Sequence, residues 1–171
     1  IGPGGVGKTR LALELARAIA DEGTTRVVFV PVAAIRDPAF VESAIAEAFG
    51  LVDVAARDLP KRVSVACERH ATLVVLDNFE QVLDAAPRVA GLLTSVPLLR
   101  LLVTSRAPLR VRGEREYVVG PLELETDART SSPADLARVP AVRLFVERVR
   151  DVRPDFRLTS ANGPTVTAIC K

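Results

Sequence analysis

The sequence predicts an α/β fold in three layers, a parallel sheet with helices on both faces, and three observations predict it. Short apolar runs without polar alternation, at residues 27–30, 73–76 and 101–103, read as strands covered on both faces. Segments of helical periodicity stand between them, so strand and helix alternate along the chain. A glycine-rich turn over residues 2–7 opens the first helix. Such an alternation requires right-handed crossovers and gathers ligand-binding residues at the C-terminal ends of the strands.

In chain order, Leu11, Leu15 and Ile19 recur every fourth residue beside Ala12 and Ala16, which predicts a helix over 8–20 with one apolar stripe. Gly23 ends it. After the strand at 27–30, Asp37 and Pro38 supply the N-cap and first residue of a helix whose stripe is Val41, Ile45 and Phe49, stopped by Gly50. A second helix is expected over 59–69. The strand 73–76 ends on Asp77, residues 80–95 read as a helix broken or bent near Pro87, and the strand 101–103 runs into Thr104, Ser105 and Arg106. Tyr117, Val118 and Val119 predict a last strand.

Residues 1–125 are thus expected to form one core and 126–139, rich in Ser, Asp, Arg and Pro, a linker. Residues 140–171 are expected to begin a helical lid, with Val142, Phe145, Val146 and Val149 on one face and Arg143 placed to pair with Glu147. Only Ile1 precedes the glycine-rich turn, there is no Met, and the last residue falls in a helical pattern. A segment of a longer protein is expected, lacking the first strand of its own sheet.

Gly2, Pro3, Gly4, Gly5, Val6, Gly7, Lys8 and Thr9 spell a phosphate-binding P-loop: glycine, four residues, then Gly-Lys-Thr. The backbone N–H groups of such a loop curl into an anion nest at a helix N-terminus, which makes a nucleoside triphosphate the expected ligand of a P-loop NTPase core. Lys8 is placed for the β- and γ-phosphates and Thr9 for Mg²⁺. Asp77, closing a buried apolar strand, is the expected second Mg²⁺ residue. Asn78 follows it, and an amide can position water but cannot take its proton. Glu80 is therefore the candidate base, against the alternative of an ordinary first-turn helix acid. Arg106 at a strand end can set its donors beside a γ-phosphate and tell ATP from ADP. Its alternative is membership of a solvated basic loop with Arg110, Arg112 and Arg115, interleaved with Glu114 and Glu116. No Asn-Lys-x-Asp element for guanine is present, so adenine is expected.

Taken together, residues Gly2 to Arg10, Leu76-Asp77-Asn78-Phe79-Glu80 and Thr104-Ser105-Arg106 resemble the NB-ARC-like STAND ATPases. The closest likeness is to the ATPase domains of large bacterial transcriptional regulators of the LuxR and AfsR/SARP types, and it spans nearly the whole chain. The resemblance implies nucleotide binding by the loop through Arg10 and by Arg106, and a switch between a closed ADP form and an open, self-associating ATP form reset by slow hydrolysis. It also implies a DNA-binding effector and a sensor repeat array elsewhere in the parent chain. The strand before Arg106 would lie between the P-loop strand and the Asp77 strand. Three departures stand out: a Gly-Leu-Pro motif is absent up to Lys171, the strand before the P-loop is missing, and Gly163-Pro164 falls where the family continues a helix.

Composition narrows the classes. Of 171 residues 49% are hydrophobic, enough for one α/β core, and 23 basic against 21 acidic side chains leave a net charge of +2 that makes no electrostatic case for nucleic acid or membrane. Cys67, Cys170 and the single histidine, His70, are too few and too dispersed for a zinc cluster or a Cys/His nucleophile, and a reducing, cytoplasmic setting is expected. Two other readings compete with the regulatory ATPase. One is a small-molecule P-loop kinase, for which no acceptor clamp is found. The other is a non-hydrolysing nucleotide-binding scaffold, which Asn78 keeps open.

Overall fold

Three parallel strands, β1 (Thr25–Pro31), β2 (Ala71–Asp77) and β3 (Leu99–Val103), form one sheet in the order β1-β2-β3 in a computed structural model that describes residues 1–124 and 132–170. β2 is the middle strand and is buried almost throughout, as its unbroken apolar run requires. Its side chains divide by parity: Val74 and Leu76 enter the large core on one face, Leu73 and Val75 the smaller core on the other. Helix α1 (Lys8–Asp21) covers the smaller side through Ala12 and Ala16, while α2 (Val41–Ala48), α3 (Leu59–Cys67) and α4 (Ala86–Ser95) carry the larger core with Ile45, Val63 and Val89. This is the three-layer α/β arrangement that the alternation of elements predicts.

Register decides the site. Leu76 pairs with Val103 across β2 and β3, so Asp77 and Thr104 leave the sheet side by side. Pro31 pairs with Asp77 on the other flank.

Several elements differ from expectation. The stretch 80–95 is not one bent helix: two short 3₁₀ turns, Phe79–Gln81 and Leu83–Ala85, precede α4, and Pro87 sits in its first turn. A proline there lacks only an N–H that has no helical partner, so it starts the helix instead of bending it. Helix α3 stops at Cys67, before the expected end. Residues 117–119 form no strand of the sheet, and Tyr117 and Val118 are exposed. They do bond to the chain start: the Ile1 amino group donates to the Tyr117 carbonyl at 2.7 Å, and Val119 N–H donates to the Ile1 carbonyl at 2.8 Å. Leu11 and Leu15 of the expected stripe are half-exposed. They line an apolar groove of about 620 Å³ along β3, with Leu101, Val103, Val111 and Val119.

The chain divides into two compact units, Ile1–Gly120 and Pro121–Lys171. The second has its own small core of Leu136, Val142, Val146 and Val166, built by α5 (Pro133–Leu136), α6 (Pro140–Val152) and α7 (Gly163–Ile169). Phe145 and Phe156 meet edge to face at 6.4 Å. Ser132 caps α5: its hydroxyl accepts from Asp135 N–H at 3.2 Å and donates to the Asp135 carboxylate at 2.6 Å, which holds that carboxyl below its ordinary range. α5 lies in the stretch read as linker, whose residues 126–131 are outside those described. Pro164 again occupies a first turn, so the Gly163-Pro164 pair opens α7.

Candidate functional site

The P-loop keeps its shape through backbone conformations that need glycine. Gly2 has φ +152°, and a Cβ there would run into the Val119 carbonyl. Gly7 caps α1 in the left-handed region at φ +95°. The turn delivers Lys8 and Thr9 into the first turn of a fourteen-residue helix, whose free N–H groups and dipole favour an anion. Lys8 Nζ donates to the carbonyls of Gly2 and Pro3, at 2.8 Å each.

Asp77 is 8% exposed and receives two hydroxyl hydrogen bonds on Oδ1, from Thr9 at 2.8 Å and from Thr104 at 2.6 Å. Thr104 also accepts from Asn78 N–H at 3.0 Å, and its carbonyl accepts from Phe79 N–H at 2.9 Å. One threonine thus fixes the carboxylate and the turn that follows it. Among the described residues no group of three His, Cys, Asp or Glu could hold a metal. Mg²⁺ needs no such group, since it takes one or two protein oxygens and fills its octahedron with water and phosphate oxygens. A hydroxyl and a carboxylate 2.8 Å apart beside the phosphate cradle are such a hard-oxygen pair.

Phe79, fully buried, anchors the 3₁₀ turn that carries Glu80. Glu80 Oε1 meets Arg106 Nε at 3.0 Å, and the guanidinium lies over the loop, where a Cβ on Gly4 would be 3.4 Å from its Cζ. A cavity of about 450 Å³ opens at the strand ends, lined by Gly4, Gly5, Gly7, Lys8, Thr9, Arg10, Leu13, Asn78, Glu80 and Arg106. Gly2, Pro3, Val6 and Asp77 are not on that lining; Pro3 is exposed, Gly2 and Pro3 face Lys8 with their carbonyls, and Asp77 connects to it through Thr9. Arg10 reaches the rim but pairs with Glu14 along α1 at 2.9 Å.

Two residues that sequence reasoning passed over matter here. The Thr104 hydroxyl is the hub beneath Asp77. Glu114 staples the loop after Arg106 by accepting from Leu109 N–H at 2.8 Å and Arg110 N–H at 2.7 Å. Two neighbouring parallel strands each ending in a polar residue would have pointed to Thr104; nothing local pointed to Glu114. Arg110 has φ +57° inside that stapled loop, so the loop holding Arg110 and Arg112 is ordered by its own acid.

No family model matches the chain. Over 99% of its length it is 34% identical to a Mycobacterium tuberculosis protein that carries the working name of an HTH-type transcriptional regulator, of which it covers 18%. It is 35% identical to an uncharacterized protein of the same organism, of which it covers 40%. The chain therefore spans less than half the length of these curated relatives. Among solved structures it resembles the Aeropyrum pernix ORC2 protein in its ADP form, with TM-score 0.57, 17% identity and coverage of 98% of this chain and 60% of that one. It also resembles the ORC1 protein of that organism in complex with DNA, with TM-score 0.55, 18% identity and coverage of 95% and 50%. At these identities the likeness shows the α/β fold alone. Among the described residues no helix is long and apolar enough to cross a membrane.

Proposed function

We propose that this chain is an ATP- and ADP-binding switch with slow ATP hydrolysis, the regulatory ATPase module of a larger transcriptional regulator of the NB-ARC-like STAND type. One observation carries the reading: P-loop, Glu80 and Arg106, far apart in sequence, converge on one cavity at the C-terminal strand ends, and Asp77 joins them through its bond to Thr9. The similarity to longer proteins, one with a regulator's working name, supports the regulatory half.

The loop N–H groups and Lys8 receive the phosphates, and Lys8 exchanges two carbonyl partners for phosphate oxygens. Thr9 and Asp77 would hold Mg²⁺, which supplies neutralisation of charge on the β- and γ-phosphates. Arg106 contacts the γ-phosphate, and Asn78 at the cavity wall helps hold the attacking water. Glu80 accepts that water's proton as the oxygen attacks γ-phosphorus and the bond to the β-phosphate oxygen breaks, leaving ADP and phosphate. The cytoplasm, a DNA-binding effector, a sensor array and ATP-dependent self-association belong to the same reading, with no nucleic-acid contact from this segment.

The test is calorimetric titration of the full-length protein with Mg·ATP and ADP. Lys8→Ala should reduce affinity for both by about ten- to a hundredfold, the loss of a hydrogen-bonded charge at roughly 1.5–3 kcal/mol. Unchanged affinity in that variant removes the claim. Binding without turnover would favour the non-hydrolysing scaffold, which the engagement of Glu80 by Arg106 makes the second reading.

A further inference from the structure

The three cations lining the cavity, Lys8, Arg10 and Arg106, are occupied by the protein's own oxygens, Arg10 by Glu14 along α1. Lys8 is held by two backbone carbonyls, that of Pro3 exposed and that of Gly2 partly buried. Arg106 is held by a carboxylate in a different setting. The Glu80 side chain is only 16% exposed against 65% for Arg106, and its second oxygen, Oε2, is buried with no hydrogen-bond partner among the described residues. A buried carboxylate short of donors depends on the cation beside it. Arg106 is thus the counter-ion of Glu80, and it sits over Gly4, where a terminal phosphate in the loop would come within its reach.

We propose that the Glu80–Arg106 pair is a latch, opened by the γ-phosphate of a nucleoside triphosphate and left closed by a diphosphate. The inference rests on the ATP reading above and adds the regulation of the same site. A γ-phosphate carries more negative charge than a carboxylate and presents several acceptor oxygens to the guanidinium fork, so it wins the shared arginine. A Glu80 carboxylate left without its counter-ion turns its freed oxygen toward solvent in the cavity, where water hydrates it. The same movement that reports the γ-phosphate therefore uncovers the base that destroys it. Once phosphate departs, Arg106 returns to Glu80, and the ADP form is again the latched one.

The test compares Mg·ADP and a Mg-bound non-hydrolysable ATP analogue by titration of the full-length protein, as wild type, Glu80→Gln, Glu80→Asp, Arg106→Ala and the double variant Glu80→Gln/Arg106→Ala. Glu80→Gln should bind the analogue about fivefold more tightly, near the lower end of typical coupling because the pair is partly exposed, with ADP affinity unchanged. Glu80→Asp keeps the charge but shortens the reach, and should tighten the analogue in the same direction. In the Arg106→Ala background, Glu80→Gln should leave analogue affinity unchanged within about twofold. Steady ADP affinity also shows that each variant folds. Equal tightening in both backgrounds, or tightening by Gln but not by Asp, would mean plain repulsion between Glu80 and phosphate and overturns the latch. No tightening in Glu80→Gln, as expected if Arg106 serves both partners at once, overturns it too. Absence of nucleotide binding by the wild type overturns the ATP reading itself, an outcome distinct from all of these.

Discussion

Asn78 stands at φ 64° and ψ 50°, a left-handed conformation that asparagine tolerates far better than most side chains. The backbone demands it, because the chain must leave β2 and turn at once into the 3₁₀ turn that carries Glu80. What sequence showed as a missing acid is, in the structure, also a conformational requirement, and the N–H of that residue is received by Thr104. Thr104→Val keeps the shape and removes two hydrogen bonds, leaving one Asp77 oxygen and one partly buried N–H less well satisfied. We expect a loss of roughly 1–3 kcal/mol in denaturant unfolding and a shift of the Mg²⁺ dependence of ATP binding to higher concentration, with ADP binding in the absence of metal retained. Unaltered Mg²⁺ dependence would reduce Thr104 to a packing residue. Sequence makes Lys8, Thr9 and Asp77 legible because short motifs carry their own geometry. Thr104 was not legible, since its role depends on the Leu76–Val103 register, and neither was the Glu80–Arg106 contact, which joins two loops through the fold.

At the scale of elements, apolar runs without alternation located all three strands, because a middle strand with both faces covered leaves no other pattern for β2. Helix boundaries near proline were harder. Pro87 and Pro164 read locally as breaks, and only the path of the preceding backbone makes them first-turn residues. The Tyr-Val-Val stretch has strand propensity but no place in the described sheet; propensity yields where pairing is absent. The 3₁₀ turn after Asp77 depends on Phe79, whose side chain is wholly buried in the large core. Phe79→Ala should therefore cost about 3–5 kcal/mol, read as a fall in the thermal midpoint. Because the same turn aims Glu80, Phe79→Leu, a milder change, should lower ATP turnover more than it lowers ADP affinity. Equal losses of both would show that the turn positions nothing.

At the scale of the whole molecule the question is how much one arginine can do. A hydrogen bond to a charged group contributes roughly 1.5–3 kcal/mol, and the 65% exposure of Arg106 places it at or below the bottom of that range. Moving a two-state population from 1:99 to 99:1 needs about 5.5 kcal/mol of differential binding. Arg106 by itself falls short, so the remainder has to come from other groups that distinguish triphosphate from diphosphate, and the candidates are Lys8 and Thr9 on the cavity wall, with Asp77 bonded to Thr9. The chain covers only 18% of its regulator-named relative. In the full-length protein, Arg106→Ala should therefore shrink the size change induced by a non-hydrolysable ATP analogue without removing it, while ADP still binds. Arg106→Ala combined with Asp77→Asn should remove it. Light scattering with ADP and with the analogue measures both. Complete loss in the single variant would make Arg106 the whole switch and refute the division of labour, and an intact size change in the double variant would place the switch outside this site.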